Sequence, residues 1–373
     1  MRFSALRHVR RVTPRVVHRS PRRLLLERLE DRLVPALADG TILVATFPSQ
    51  GFASGSQSGF PDGIVGVAPG TGSQAAVSTG NLFTVPTYTA EAPNQQLYVT
   101  DLQAFGTGAI LAVDPNSGAQ RLVAKGGFIN GPNVLVFMNG YLYVADEGDA
   151  SGTVHNIVRI DPNTGQQTLV TDGSSGGFIV PVGMAPAPGN NIYVADEPGN
   201  VQGTDPGKIW LVNLNTGQQT IVSSNNSTQG SLFNHPVDLS VEANGNLVVI
   251  NTGTGGFGGS VIRVNPQSGV QSLVSSFNGS DRGGTDSIDV GRDGTLYVGA
   301  ISYGSTPGRI YSVNPATGVQ TVIAQGGQLS EVEGIRVFHV TANSATTVVS
   351  AVNPSVSGQS VTLTATVSVS GSS

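Results

Sequence analysis

Chemistry in this chain has to come from oxygen and nitrogen donors, because its 373 residues include no cysteine and so no thiolate nucleophile or thiolate metal site. Four polar residues stand at the heads of short apolar stretches: Asn133, Asp238, Asp286 and Glu333, with Asp289 just beyond. Side-chain oxygens of this kind suit Ca²⁺ or Mg²⁺ rather than a soft metal. A second set, Asp101, Asp146, Asp196 and Asn251, closes stretches rich in Tyr, Val and Ile. Asp146-Glu147-x-Asp149 forms a local acidic cluster able to hold Ca²⁺, although an Asp at such a place commonly caps the following turn. Of five histidines, His235, directly before Pro236, is the one placed to serve as a general base. His155 and His339 are isolated, and His8 and His18 lie near the N-terminus.

Two motif matches fail on context. Gly253-Thr254-Gly255-Gly256-Phe257-Gly258 fits G-x-G-x-x-G, but a strand pattern follows where a helix is needed. Gly173-Ser174-Ser175-Gly176-Gly177 fits G-x-S-x-G within a Gly/Ser loop, without the strand–turn–helix that exposes a nucleophile.

The elements that must position these residues come from a repeat. One segment recurs six times, from IVGVAPGTGSQAAV (64–77) and ILAVDPNSGAQRLV (110–123) to IYSVNPATGVQTVI (310–323). Its turn glycines, Gly72, Gly118, Gly165, Gly217, Gly269 and Gly318, are spaced by 46, 47, 52, 52 and 49 residues. Alternating apolar residues on either side of a D/N-P-x-T/S-G turn predict a β-hairpin. Before each hairpin lies a stretch such as YLYVAD (141–146) or NIYVAD (191–196), most of them entered through Asn-Gly or Asp-Gly turns. Before those come shorter apolar runs, NVLVF (133–137), VGMAPA (182–187), VDLSV (237–241) and SIDV (287–290). Four antiparallel strands, a to d, in about 50 residues predict an all-β fold, a six-bladed β-propeller. The first repeat starts at its b strand, TILVATF (41–47), and GIRVFHV (334–340) is an a strand with no b strand after it. Pairing the two closes the ring and removes two open edges. The b–c and d–a connections (47–62, 146–153, 196–207, 223–235, 275–285) are the long, variable ones, so their face is where binding is expected.

Pro181-Val182-Gly183-Met184-Ala185 with Asn191-Ile192-Tyr193-Val194-Ala195-Asp196 resembles the NHL repeat, and residues 41–340 resemble the broad superfamily of NHL-like and gluconolactonase-like propellers. In metal-dependent gluconolactonase-like propellers a Glu, an Asn and an Asp hold one divalent ion in the channel. The resemblance implies Glu333, in Glu333-Gly334-Ile335-Arg336-Val337, as the first and Asp286, in Thr285-Asp286-Ser287-Ile288-Asp289, as the Asp. Asn133 serves as the Asn with its register shifted by about one residue, and blade five has Val237 where a ligand would stand.

Charge is divided unevenly. Residues 1–35 carry ten Arg and three acids, whereas the rest has nine basic and 21 acidic residues. An acidic body repels phosphate backbones, which argues against nucleic-acid binding. No apolar run reaches the ~18 residues of a transmembrane segment. RRLLLERLEDRLVPA (22–36) resembles the N-terminal sorting segment of exported planctomycete proteins, which implies an extracellular, periplasmic or cell-surface location. Asn353-Pro354-Ser355-Val356 with Gly358-Gln359 resembles the opening of a bacterial Ig-like domain. The expected organisation is a basic sorting segment over 1–38 that packs against nothing, a propeller over 39–342 and an incomplete Ig-like fragment over 343–373. The expected function is a binding scaffold for a protein, glycan or small molecule on the loop face. The alternative is a metal-dependent lactonase at the central channel.

Overall fold

A computed structural model describes residues 37–47, 62–148, 155–173, 177, 180–197, 207–252, 258–277, 284–301, 307–329, 331–340, 343–351 and 359–370. These residues form six four-stranded antiparallel sheets and one two-stranded sheet. Blade one consists of Ile335–Val337, Ile42–Thr46, Gly63–Val67 and Gln74–Thr79, in that spatial order. Blades two to six run consecutively in sequence, with a strands Pro86–Glu91, Pro132–Met138, Val180–Ala187, Pro236–Val241 and Thr285–Val290. The fold is thus the expected propeller, closed as expected by Ile42↔Val337, Leu43↔Arg336 and Val44↔Ile335. The a strand of blade two, Pro86–Glu91, has no apolar run to announce it. Asn343–Ser350 pairs with Leu363–Ser370 as an antiparallel hairpin. The segment 1–36 lies outside the described residues, but Leu37 packs against the cluster around Leu43 and Val77, so the packed body begins ahead of residue 39.

Alternation explains the core. Leu43 and Ala45 face blade two beside Leu97, Val99 and Leu111, while Ile42 and Val44 face blade six beside Ile310. The b strands are therefore buried on both faces, as in Leu97–Asp101. Among the described residues the apolar side chains gather into six clusters, one between each pair of adjacent blades.

Polar clamps repeat with the same period. All six turn glycines have φ between 68° and 72°. A Cβ on any of them would come within 2.0–2.6 Å of a carbonyl oxygen on the d strand of the preceding blade. Two residues further on, each hairpin has a glutamine, and it reaches back to that same blade. Gln120 Nε2 donates to Ser78 Oγ at 2.9 Å and to the Gly80 carbonyl at 3.1 Å, while its Oε1 accepts from Leu82 N at 2.8 Å. Gln167, Gln219, Gln271 and Gln320 repeat this bridge. Gln74 closes the circle from blade one onto Gly326 and Gln328 of blade six.

Gly217→Ala meets both the positive φ and the Val170 carbonyl 2.3 Å away, and should cost about 2–4 kcal/mol. Gln219→Ala strands a hydroxyl and a carbonyl, a loss of roughly 1–3 kcal/mol. Urea unfolding measures both, and wild-type stability in either variant would contradict the clamp. Deleting 334–373 should lower the melting temperature sharply, because it exposes the inner edge of blade one, whereas deleting 344–373 should leave it nearly unchanged.

Candidate functional site at the channel mouth

Each a strand pairs only with its b strand, so its other edge faces the central channel. In blades two to six the a–b ladder skips one residue next to the strand start: Thr87, Asn133, Val182, Val237 and Asp286. A bulge residue of this kind has no cross-strand partner and its side chain is re-aimed. In blade one the same place falls to Glu333, whose N–H donates to Ala45 O at 3.2 Å while Ala45 N donates to Gly334 O at 2.9 Å. All six residues line one pocket of about 140 Å³, together with Tyr88, Glu147 and Glu197. Asn133, Asp286 and Glu333 are therefore brought together, and the bulge removes the apparent register shift of Asn133 by seating it at the position equivalent to Asp286. Val237 occupies the blade-five place.

The pocket holds four carboxyl groups and no Lys or Arg among its described lining residues. Burial pushes the Asp286 carboxyl well above the usual carboxylate range, and the Glu333 carboxyl raises it further. Glu333 is pushed up to about 7, first by burial and then by the charges of Glu331 and Glu147. Burial also raises Glu147, against the opposing effect of a hydrogen bond from Asn133 Nδ2 to Glu147 Oε1. Glu197 Oε1 lies 2.7 Å from His235 Nδ1, which puts the predicted base at the rim, one residue removed from the pocket lining.

The donor chemistry is of the kind a hard divalent ion takes: oxygen groups, half-buried, with no Lys or Arg in the lining. Among the described residues no three or more His, Asp or Glu side chains stand close enough together to hold an ion. The expected set has two carboxylates plus an amide, Glu333, Asp286 and Asn133.

The other predicted residues are placed elsewhere. Asp238 and Asp289 do not line the mouth pocket. Each caps the free edge of the next a strand: Asp238 Oδ2 accepts from Ile288 N at 2.8 Å, and Asp289 Oδ2 from Val337 N at 2.8 Å. Asp238 also accepts from the Tyr88 hydroxyl, and burial still pushes it up to about 7. Asp101, Asp146, Asp196 and Asn251 are buried clamps on the segment that leads into their own a strand. Asp101 accepts from Thr84 N and Val85 N, Asp146 from Asn130 N, Asp196 from Val180 N, and Asn251 from Asn234 N and His235 N. Asp196 also takes the indole N–H of Trp210, a buried residue, at 2.9 Å. Asp149 lies outside the described residues.

Sequence reasoning missed Glu197 and Tyr88. The signal for Glu197 is the acid placed directly after the clamp in two successive blades, Asp146-Glu147 and Asp196-Glu197. Tyr88 lines the mouth pocket on one side and a second pocket on the other, so it floors the mouth.

No protein-family model matches this sequence, and no curated protein matches it. Solved structures do. A chain of a nidogen/laminin complex is 14% identical with a TM-score of 0.60, over 80% of this chain and 98% of that one. TolB from Acinetobacter baumannii is 12% identical with a TM-score of 0.56, over 79% of this chain and 66% of that one. A PQQ-bound aldose sugar dehydrogenase from Streptomyces coelicolor is 16% identical with a TM-score of 0.50, over 69% of this chain and 86% of that one. At such identities the likeness is one of fold alone.

Proposed function

We propose that this chain is an exported binding propeller whose recognition site is the acidic channel mouth, loaded with one divalent cation such as Ca²⁺. One observation carries the reading. The Asp286 and Glu333 carboxyls accept no hydrogen bond among the described residues, while Asp238, Asp289 and Asp146 accept backbone N–H groups. Half-buried carboxyls that share a pocket and have no donors are costly to folding, which favours something else meeting them. Asn133, Asp286 and Glu333 would hold the ion, with Glu147 steadying Asn133. A bound ion would supply positive charge and Lewis acidity for an oxygen-rich ligand, either a glycan or an acidic group of a protein partner. The nidogen/laminin assembly is itself a protein complex, which supports a partner-binding role on this fold. The resemblance over 22–36 supports export, and the acidic body argues against a nucleic-acid partner.

A second reading, a lactonase, is favoured by the His235–Glu197 pair at 2.7 Å. It would supply an imidazole with an orienting carboxylate at the rim of the mouth, where a water could be deprotonated.

Calorimetric titration with Ca²⁺ at pH 8 should give one site, absent from the double variant Glu333→Gln/Asp286→Asn while its β-sheet circular dichroism is kept. Absence of binding at millimolar Ca²⁺ would overturn the proposal. Turnover of an aldonolactone by the Ca²⁺-loaded protein, lost in His235→Ala, would select the lactonase, and binding without turnover selects the scaffold.

The raised carboxyls fix a pH response. Desolvation pushes the Glu333 and Asp238 carboxyls up to about 7 in the folded state, from ordinary values of 4.5 and 3.8. The folded state therefore binds more protons than the unfolded chain between about pH 4 and 7. Their contribution is fully present below the unfolded values and is lost as pH rises through 7. In chelator, the melting temperature should fall from pH 5 to pH 8, and Glu333→Gln should flatten part of that fall, on the order of 2 kcal/mol at pH 8. Ca²⁺ should restore stability at pH 8 much more than at pH 5. A flat profile in chelator would contradict this assignment.

A further inference from the structure

Beyond Tyr88 the channel opens into a second pocket, of about 270 Å³, at the end of the a strands away from the acidic mouth. Its lining includes Thr89, Glu91, Phe137, Asp289 and Arg336. That volume is just under the roughly 300–1,000 Å³ of sites for drug-sized ligands.

Its polar groups are unevenly used. Asp289 is committed: Oδ1 accepts from Ser240 Oγ at 2.8 Å and Val290 N at 2.9 Å, and Oδ2 from Val337 N. Arg336 Nη1 stands 3.7 Å from Asp289, beyond hydrogen-bond reach, and Arg336 Nε is buried with no partner. Thr89 Oγ1 is also buried with no partner, on a residue only 1% exposed. Glu91 Oε2 accepts from His339 N at 2.8 Å, which leaves its second oxygen. The pocket is thus lined by a guanidinium that makes no hydrogen bond, its Nε enclosed but its outer end exposed, by a hydroxyl enclosed at the wall without a partner, and by a half-used carboxylate, against Phe137 and the aliphatic side chains of the a strands.

Charge selects the ligand class. Arg336 lies in the field of Asp289, Glu91 and Asp238. An incoming anion would meet those carboxylates, and an incoming cation would meet Arg336 itself. A neutral ligand with hydroxyl groups meets neither penalty. Each hydroxyl can accept from Arg336 and donate to Glu91, while C–H faces lie on the apolar wall. We infer that this pocket is a second, separate binding site, for a neutral polyhydroxylated ligand of monosaccharide size.

The test uses the full chain in chelator, so that occupancy of the mouth plays no part. D-glucose, D-galactose, D-mannose and myo-inositol are each titrated to tens of millimolar, with saturation-transfer NMR and calorimetry as readouts. At least one should bind with a millimolar Kd. Arg336→Met should weaken that binding at least tenfold. Thr89→Val, isosteric and free of the unpartnered hydroxyl, should weaken it several-fold while leaving the melting temperature unchanged or higher. If Arg336→Met does not fold, Thr89→Val decides alone. The inference is overturned if none of the four binds, if Thr89→Val binds as wild type does, or if D-gluconate binds more tightly than every neutral probe, which would assign the pocket to anions.

Discussion

The structure depends on how closely one blade can approach the next. At the outer rim each turn glycine lies against a carbonyl of the preceding blade, at a distance that leaves no room for a methyl group. The glutamine two residues on then ties the two d strands together. With no disulfides, cohesion comes from these clamps and from six inter-blade apolar clusters. Each blade is held only by its neighbours, as in other repeat proteins, so closing the circle matters more than any single blade. Strand Ile335–Val337 and Gln74 close it at the two radii, one at the channel and one at the rim.

The same spacing leaves six strand edges around a channel, and edges carry free amides and carbonyls. Carboxylates meet part of that demand within the channel, as do hydroxyls: Thr87 and Thr100 both donate to the Asn133 carbonyl at 2.7 Å. The acids on and beside the a strands therefore differ in what their carboxyls touch. Asp238, Asp289 and Asp101 hold backbone N–H groups and belong to the scaffold. The carboxyls of Asp286 and Glu333 hold none; desolvation and then Glu333 raise Asp286, while desolvation and then Glu331 and Glu147 raise Glu333.

That division explains what the sequence made legible. The blades were readable because their determinants are local: the glycine that a positive-φ turn needs, and the alternation that two-faced burial needs. Ring closure followed from counting strands at the two ends. The a strand of blade two was not readable, since Pro86–Glu91 spends its polar positions on the channel. Nor could capping acids be told from free ones. Asp238 and Asp286 are both acids near an a-strand start, and they differ by one place relative to the bulge. Period-2 patterning is blind to a bulge, because the skipped residue looks like any other until its ladder partner is known.

The bulge ring also shows how a symmetric scaffold acquires an asymmetric site. Its six residues, from blade one to blade six, are Glu333, Thr87, Asn133, Val182, Val237 and Asp286. Blades six, one, two and three contribute polar side chains, and blades four and five contribute valine. On the valine side polarity arrives by another route, from Glu197 at the end of the b strand of blade four (Asn191–Glu197) and from His235 ahead of the a strand of blade five. Two carboxyls, an amide and a hydroxyl thus gather on one arc, and an imidazole–carboxylate pair on the other. The two arcs belong to different blades, so their separation is set by the clamps that fix each blade against the next at the outer rim.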